Sequence, residues 1–338
     1  MAIPPQLHCL CLPTPFPVGP VNVYLAEGEP LTLIDTGPKD DVTRAALEAG
    51  FKEYGYRVED LRRVILTHHH VDHIGLTAEI VARSGAEVLT HPYNLPWLAD
   101  YIAERERHRP FFQQIWDEGG VPEEIVQAMD QSGAGIARWL DPFAEAKPIG
   151  EGDTLIFSDG GVVSGNWRVY HTPGHAGGLV CLWDAESRTL IANDHFIRDI
   201  SSNPVLEPPP LTPAPTGRCG VNGPRPKRLV EYLHHMQRMA ALEPLVALPG
   251  HGEVVNDVPG LVRQRLAFHK RRARKILDTL DAGPLTLWEL TQPIFPRLKH
   301  GMDFFLGLSE ILGHLDLLEE AGTARPVRDR ARVRWTRV

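Results

Sequence analysis

Along the first ninety residues, short apolar runs alternate with amphipathic stretches. Val21-Asn22-Val23-Tyr24-Leu25 and Leu31-Thr32-Leu33-Ile34-Asp35 flank the turn Glu27-Gly28-Glu29-Pro30, a pattern that predicts a hairpin. Asp40 or Asp41 is placed to cap a helix running to about Tyr54. Arg63-Val64-Ile65-Leu66 reads as a buried strand, Ile74 to Ser84 as a helix and Ala86 to Thr90 as a further strand. This β-α-β-α-β order predicts an α/β sheet with reactive loops at the strand ends. Residues 92–145 then read as a helical insertion over the sheet, with Phe111, Phe112, Ile115 and Trp116 as its apolar stripe. Strand patterns resume at 154–157, 167–170, 179–183 and 189–192, so a second β-rich half mirrors the first.

Residues 199–226 hold eight prolines and almost no periodicity, which excludes helix and central strand and suggests an ordered Ω-like loop near the site. A helix over Lys227 to Ala241 and a strand at Leu245-Val246-Ala247 complete a body spanning 1–261. The tail, 262–338, reads as a helix to Asp281, the turn Ala282-Gly283-Pro284 and a helix capped by Thr286. A further helix from Ser309 to Ala321 stops at Gly322, and a basic hairpin covers Arg325 to Arg337. That order is similar to a winged helix.

Composition changes this picture in two places. The net charge of −8 divides unevenly. The tail has 15 Lys/Arg against 9 Asp/Glu, and the body 20 against 34, so only the tail has a preference for polyanions. Its third helix nonetheless carries Glu310, Asp316, Glu319 and Glu320, which disfavours sequence-specific reading of DNA. The N-terminus lacks the basic and apolar regions of a secretion signal, and no run of about 18 apolar residues follows, so a cytoplasmic protein without membrane spans is expected. Cys9, Cys11, Cys181 and Cys219 are too few and too irregular for a disulfide framework or a CxxC zinc site, and read as buried or incidental thiols.

The chemistry is concentrated directly after the strand 63–66. There His68, His70, Asp72 and His73 form H-x-H-x-D-H. Alternate residues of an extended segment point the same way, so His68 and His70 can share one ion while Asp72 and His73, after a turn, face a second. Two later loops repeat a strand followed by Pro-Gly-His, at Pro173-Gly174-His175 and Pro249-Gly250-His251, each delivering one imidazole. Asp194 ends an apolar strand, where a carboxylate could bridge two cations about 3.5–4 Å apart. His195 beside it reads as a buried histidine without a ligand role, because the metal shells are full without it.

These motifs resemble the metallo-β-lactamase superfamily in its glyoxalase II-like branch, over roughly residues 5 to 260. The tail is similar to the C-terminal module of the beta-lactamase-like protein 2 group. The resemblance implies an αββα sandwich of two sheets between helices. It implies His68, His70 and His175 at a first metal, Asp72, His73 and His251 at a second, and Asp194 between them. Asp35, in Asp35-Thr36-Gly37, is implied to orient a ligand imidazole from behind. Asn193-Asp194 departs from the usual Gly-Asp, which puts the local backbone in question. The cofactors implied are two divalent ions, Zn2+ before Fe or Mn.

The reaction expected is hydrolysis by a metal-bound hydroxide, with Asp72 positioning the water and shuttling its proton. A thioester or ester substrate, as in glyoxalase II, is expected first. Alternatives are single-stranded RNA held by the basic tail, and a lactone if Tyr93 or Tyr24 places a phenol near the metals. The tail departs from that of glyoxalase II, so no preference for glutathione is implied, and fold alone does not imply β-lactam cleavage. The expected partners are a small-molecule substrate, RNA through the tail, and a second copy of the chain through the insertion or the tail.

Overall fold

The computed structural model describes residues 6–159, 162–209, 212–213, 219–220 and 224–338. The chain divides into two compact units. One is built from Met1–Tyr101, Ile136–Ser202 and His235–Val262, the other from Ile102–Gly135, Asn203–His234 and Arg263–Val338. The second unit therefore gathers most of the helical insertion and much of the Pro-rich stretch together with the tail, where the sequence suggested one boundary at 261/262. Most of 210–223, the centre of the predicted Ω-like loop, lies outside the described residues.

The first unit begins with an antiparallel meander, β1 (Leu7–Leu12), β2 (Val21–Ala26) and β3 (Thr32–Ile34). After α1 (Asp41–Glu53), capped by the Asp40 carboxylate accepting from the N–H groups of Val42 and Thr43, the chain runs parallel to β3 as β4 (Arg63–Leu66). The predicted helix 74–84 starts three residues later, as α3 (Thr77–Ser84), and a separate turn, α2 (Val71–Ile74), precedes it. The break sits at Gly75, where a Cβ would lie 2.3 Å from the Trp139 carbonyl oxygen and 2.4 Å from the Lys39 nitrogen. Then come β5 (Glu87–Thr90) and α4 (Leu95–Ala99). The chain leaves the first unit through α5 (Tyr101–Gly119) and α6 (Glu123–Gly135), and returns as β6 (Lys147–Pro148) to complete a six-stranded sheet in the order β1-β2-β3-β4-β5-β6.

The second sheet follows as β7 (Thr154–Asp159), β8 (Val162–His171), β9 (Val180–Asp184), β10 (Thr189–Ile191) and β11 (Val246–Leu248), with β11 beside β10 and β7 at the far edge. Strands of the first sheet are buried on both faces. Val23, Leu25, Leu33, Val64, Leu66 and Val88 pack into the core that contains Leu47, Phe51 and Ile80 of the helices. Their neighbours Tyr24, Ile34, Ile65 and Leu89 pack with Val169, Val180, Leu182, Ile191 and Leu248 of the second sheet. Burial of alternate residues on opposite faces explains why these strands read as continuous apolar runs. The architecture is the α/β two-sheet sandwich the resemblance implied.

In the second unit, α7 (Arg228–Ala240, whose last residues belong to the first unit) and α8 (Val258–Thr279, whose first residues belong to the first unit) precede β12 (Leu285–Thr286), α9 (Leu287–Ile294) and α10 (Gly301–Glu320). Strands β13 (Ala324–Asp329) and β14 (Arg332–Arg337) close a three-stranded sheet in the order β12-β14-β13. Trp116 and Met129 of the insertion share one core with Ile276, Leu290, Ile311 and Leu315. The Phe112 and Trp116 rings lie 5.8 and 6.1 Å from that of Phe305. The third helix starts at Gly301, eight residues before the predicted Ser309. Its first turn is capped by the Asp303 carboxylate on the His300 N–H, and its Gly301 is required by the Ala128 carbonyl oxygen, 2.0 Å from a notional Cβ. Every residue of α10 from Gly307 to Asp316 is buried.

Candidate metal centre

The ends of strands in both sheets bring the predicted ligands together. His68 leaves β4 and α2 opens with His70 at its N-cap, so Asp72 and His73 follow within one turn. The nitrogens of His68 (Nε2) and His175 (Nε2) face His70 Nδ1 at 3.1 and 2.9 Å. Asp72, His73 and His251 form a second convergent group, with His251 Nε2 3.2 Å from Asp72 Oδ2 and His73 Nε2 3.8 Å from the same oxygen. Asp194 lies between the two groups. Its Oδ2 is 3.4 Å from His175 Nε2 and 3.7 Å from His251 Nε2, and its Oδ1 is 3.6 Å from His73 Nε2.

The donor set fits divalent metals. Among the described residues, the buried atoms His73 Nε2, His251 Nε2 and Asp194 Oδ1 face the neighbouring ionisable groups without a hydrogen bond of good geometry, a cost that coordination to a cation would remove. The imidazoles divide electrostatically. Burial, then the neighbouring imidazoles, hold His68 and His70 well below the ordinary histidine range, in the neutral form that ligates. At His73 burial opposes protonation, but Asp194, Asp72 and Asp35 override it and raise the pKa well above that range. Burial works against ionising Asp72, yet His73 and His251 bring its carboxyl down to about 2. Asp194 is lowered further by His251 and His73 against the same cost of burial.

Groups behind the predicted ligands hold their rings. Asp35, in the left-handed region at φ 61°, accepts from the Thr67 N–H and hydroxyl at 2.8 Å each, and its Oδ2 lies 2.7 Å from His73 Nδ1. Thr67 Oγ1 is also 3.1 Å from His68 Nδ1. The Ser202 hydroxyl is 2.8 Å from His175 Nδ1, and His251 Nδ1 donates to the Pro20 carbonyl at 2.7 Å. Of these only Asp35 was read from the sequence. Thr67 is signalled by its place just before His68, whereas Ser202 sits in a stretch without periodicity and has no local signal.

The departure at Asn193 has a simple geometry. Asn193 takes φ 47°, a left-handed conformation that asparagine tolerates, and Asp194 follows in a single 3-10 turn. Gly250 is required by close approach, since a Cβ there would lie 2.1 Å from Asp194 Oδ1. Asn22 Nδ2 donates to the carbonyls of Pro249 and Gly252, at 3.1 and 2.9 Å, which holds the His251 loop. Tyr24 is fully buried and donates its hydroxyl to the Pro249 carbonyl at 2.6 Å, so that phenol supports the loop. Tyr93 keeps its ring 5.9 Å from that of His69. His195 is buried, bonded to the His235 backbone and outside the metal-type clusters, with burial lowering it to about 3. Cys181 is buried beside Thr172, Cys9 is half-buried and Cys11 exposed; nothing is described for the Cys219 side chain.

Comparison with known proteins gives the family. Residues 16–251 match the family model of the metallo-beta-lactamase superfamily, and the chain belongs to that superfamily. The probable metallo-hydrolase YqjP of Bacillus subtilis is 33% identical over 308 residues, 91% of this chain and 90% of its own. A beta-lactamase-like protein 2 homolog of Drosophila melanogaster is 23% identical over 323 residues, 92% of this chain and 89% of its own. A metallo-beta-lactamase family protein of Thermus thermophilus superposes with a TM-score of 0.79 at 29% identity, covering 100% of both chains. The protein is a metallo-hydrolase of this superfamily, whose members typically bind divalent metals. Among the described residues no helix is long and apolar enough to cross a membrane.

Proposed function

We propose that the chain is a dinuclear metal-dependent hydrolase of a thioester or ester. His68, His70 and His175 would hold one ion, Asp72, His73 and His251 the other, with Asp194 bridging. A donor set of five imidazoles and two carboxylates favours Zn2+, with Fe or Mn as alternatives. Bound there, the ions would supply Lewis acidity, acidifying a water and polarising the scissile carbonyl. Asp72, kept ionised beside His73 and His251, is placed to accept the proton of the attacking water. Asp35, Thr67 and Ser202 hold the rings of His73, His68 and His175 in their ligating orientation.

The observation that carries the choice of substrate is that several of the tail's arginines are already engaged within the second unit. Arg272 faces Glu310 at 3.5 Å, Arg328 pairs with Glu118 at 2.6 Å, Arg334 with Glu289 at 3.0 Å and Arg337 with Asp281 at 2.7 Å, while Arg332 donates to the Asp117 carbonyl. A guanidinium already engaged by a carboxylate or a carbonyl is less available to a phosphate backbone. The acidic residues of α10 are used in the same way. Asp316 holds Arg225 at 2.5 Å and Glu319 holds Lys227 at 3.0 Å. The order helix, strand, helix, helix, hairpin over 258–337 supports reading the tail as a winged-helix-like module that packs rather than reads nucleic acid, since its third helix is buried along most of its length.

The test is hydrolysis of a small thioester and ester panel and of single-stranded RNA by metal-loaded protein, beside His70→Ala. Thioester or ester turnover that is lost in His70→Ala and insensitive to salt supports the proposal. RNA cleavage that is lost in the same variant and falls about 10³-fold between 50 and 200 mM salt overturns it in favour of a nuclease.

A further inference from the structure

Within the second unit, three titratable side chains converge between α8 and α10. His269 comes from α8, and Glu310 and His314 stand one turn apart on the same face of α10. All three are buried, and one ligand atom from each lies within 4.8 Å of the others. His269 Nδ1 and His314 Nε2 are 3.2 Å apart. His314 Nδ1 lies 2.7 Å from the Glu310 carbonyl oxygen. A carbonyl only accepts, so the proton is on Nδ1 and the Nε2 lone pair is aimed at His269. A histidine tied through one nitrogen to a backbone carbonyl, with the other presented inward, is in the orientation a metal ligand needs.

The geometry points to a divalent-cation site of the zinc class formed by His269, Glu310 and His314, separate from the residues assigned to hydrolysis. Two imidazole nitrogens and one carboxylate oxygen are a zinc donor set that leaves a fourth position open. Burial, reinforced by the neighbouring imidazole and Arg272, lowers His269 to about 3, and burial lowers His314 to about 4, so both rings are in the neutral ligating form at neutral pH. Arg272 faces the same carboxylate, its Nη1 3.5 Å from Glu310 Oε1 and its guanidinium over the rings of Phe268 and Phe295 at 5.1 and 4.8 Å. Glu310 would be shared between Arg272 and the cation. The competing arrangement is an N–H···N bond between two neutral imidazoles, which binds no metal.

The experiment is Zn2+ stoichiometry by mass spectrometry after chelator treatment and re-equilibration of the full chain. It compares wild type, His269→Gln, His314→Gln, and a triple variant, His70→Ala/Asp194→Asn/His251→Ala, that removes one imidazole from each half of the proposed dinuclear centre and the carboxylate between them. His269→Gln and His314→Gln are expected to bind one equivalent less than wild type, and the triple variant to retain one. Co2+ in the triple variant should give a visible ligand-field band that disappears when His314→Gln is added. Full wild-type stoichiometry in His269→Gln, or no metal in the triple variant, overturns the inference. Circular dichroism identifies a variant that fails to fold, and the triple variant then decides. A triple variant that binds as much as wild type would instead remove the dinuclear reading.

Discussion

Gly250→Ala tests the assembled centre with one methyl group. Its Cβ would lie 2.1 Å from Asp194 Oδ1, 2.7 Å from Asn193 Oδ1 and 2.9 Å from His73 Cε1. Restoring an ordinary contact of 3.4 Å to the carboxylate requires a displacement of 1.3 Å in Asp194 or in the His251 loop. Ligand distances tolerate about 0.2 Å, so a movement of this size takes a shared ligand out of reach of at least one ion. Disturbing groups that merely support ligands costs about 10–100-fold in metal affinity, and a 1 Å misplacement about 100-fold in rate. Gly250→Ala is therefore expected to lose at least about 100-fold in affinity for the weaker-held metal and a similar factor in kcat/KM. Chelator competition and thioester or ester turnover measure the two quantities. Gly135→Ala, at a glycine with nothing within 4 Å of a notional Cβ, is the control and should match wild type. Wild-type affinity and turnover in Gly250→Ala would refute the reasoning, because Asp194 could not then be a shared ligand pressed against that backbone.

Three further outcomes follow from the residues behind the predicted ligands and from one half-buried imidazole. Asp35→Asn keeps a residue that tolerates φ 61° but weakens the hold on His73 Nδ1 and Thr67, and should lower metal affinity about 10–100-fold with the fold unchanged by circular dichroism. Ser202→Ala removes the hydroxyl 2.8 Å from His175 Nδ1 and should cost about tenfold in affinity at the His68/His70/His175 side alone, measured as one metal released earlier in a chelator titration. His91, lowered to about 4 by burial and by the stacked His171 ring, is neutral when folded. Its contribution is fully present above the unfolded value of about 6.5 and is lost as pH falls through about 4. Denaturant titrations of His91→Asn should show a shallower loss of stability across that window than wild type, and equal slopes would count against the shift.

The legible part of the site was the part in which chemistry and backbone period coincide. His68, His70, Asp72 and His73 occupy one strand end and one helical turn, so their spacing alone places them. His175 and His251 repeat the strand-Pro-Gly-His pattern. What stayed hidden depends on packing between distant segments. Ser202 carries no periodic signal, and the Pro20 carbonyl that orients His251 is backbone, which any sequence could offer. The first strand, Leu7–Leu12, escaped notice because its short alternation begins beside a terminus and includes two cysteines and a histidine. The early start of α10 was hidden by Gly301 and Gly307, poor helix formers of which Gly301 is nevertheless demanded by the Ala128 carbonyl. The discontinuous second unit was beyond a linear reading for the same reason, since Trp116 and Met129 share a core with residues as distant in sequence as Ile311 and Leu315.

Each bound ion would join residues that follow strands of one sheet to residues that follow strands of the other. His68 and His70 leave the first sheet and His175 the second; Asp72 and His73 leave the first and His251 the second. The metals would therefore act as rivets across the seam of the sandwich, closing chain loops of more than 100 residues. Chelation should loosen that seam before it melts either sheet, so the order in which amides lose hydrogen-exchange protection would report a mechanical role that turnover assays cannot see.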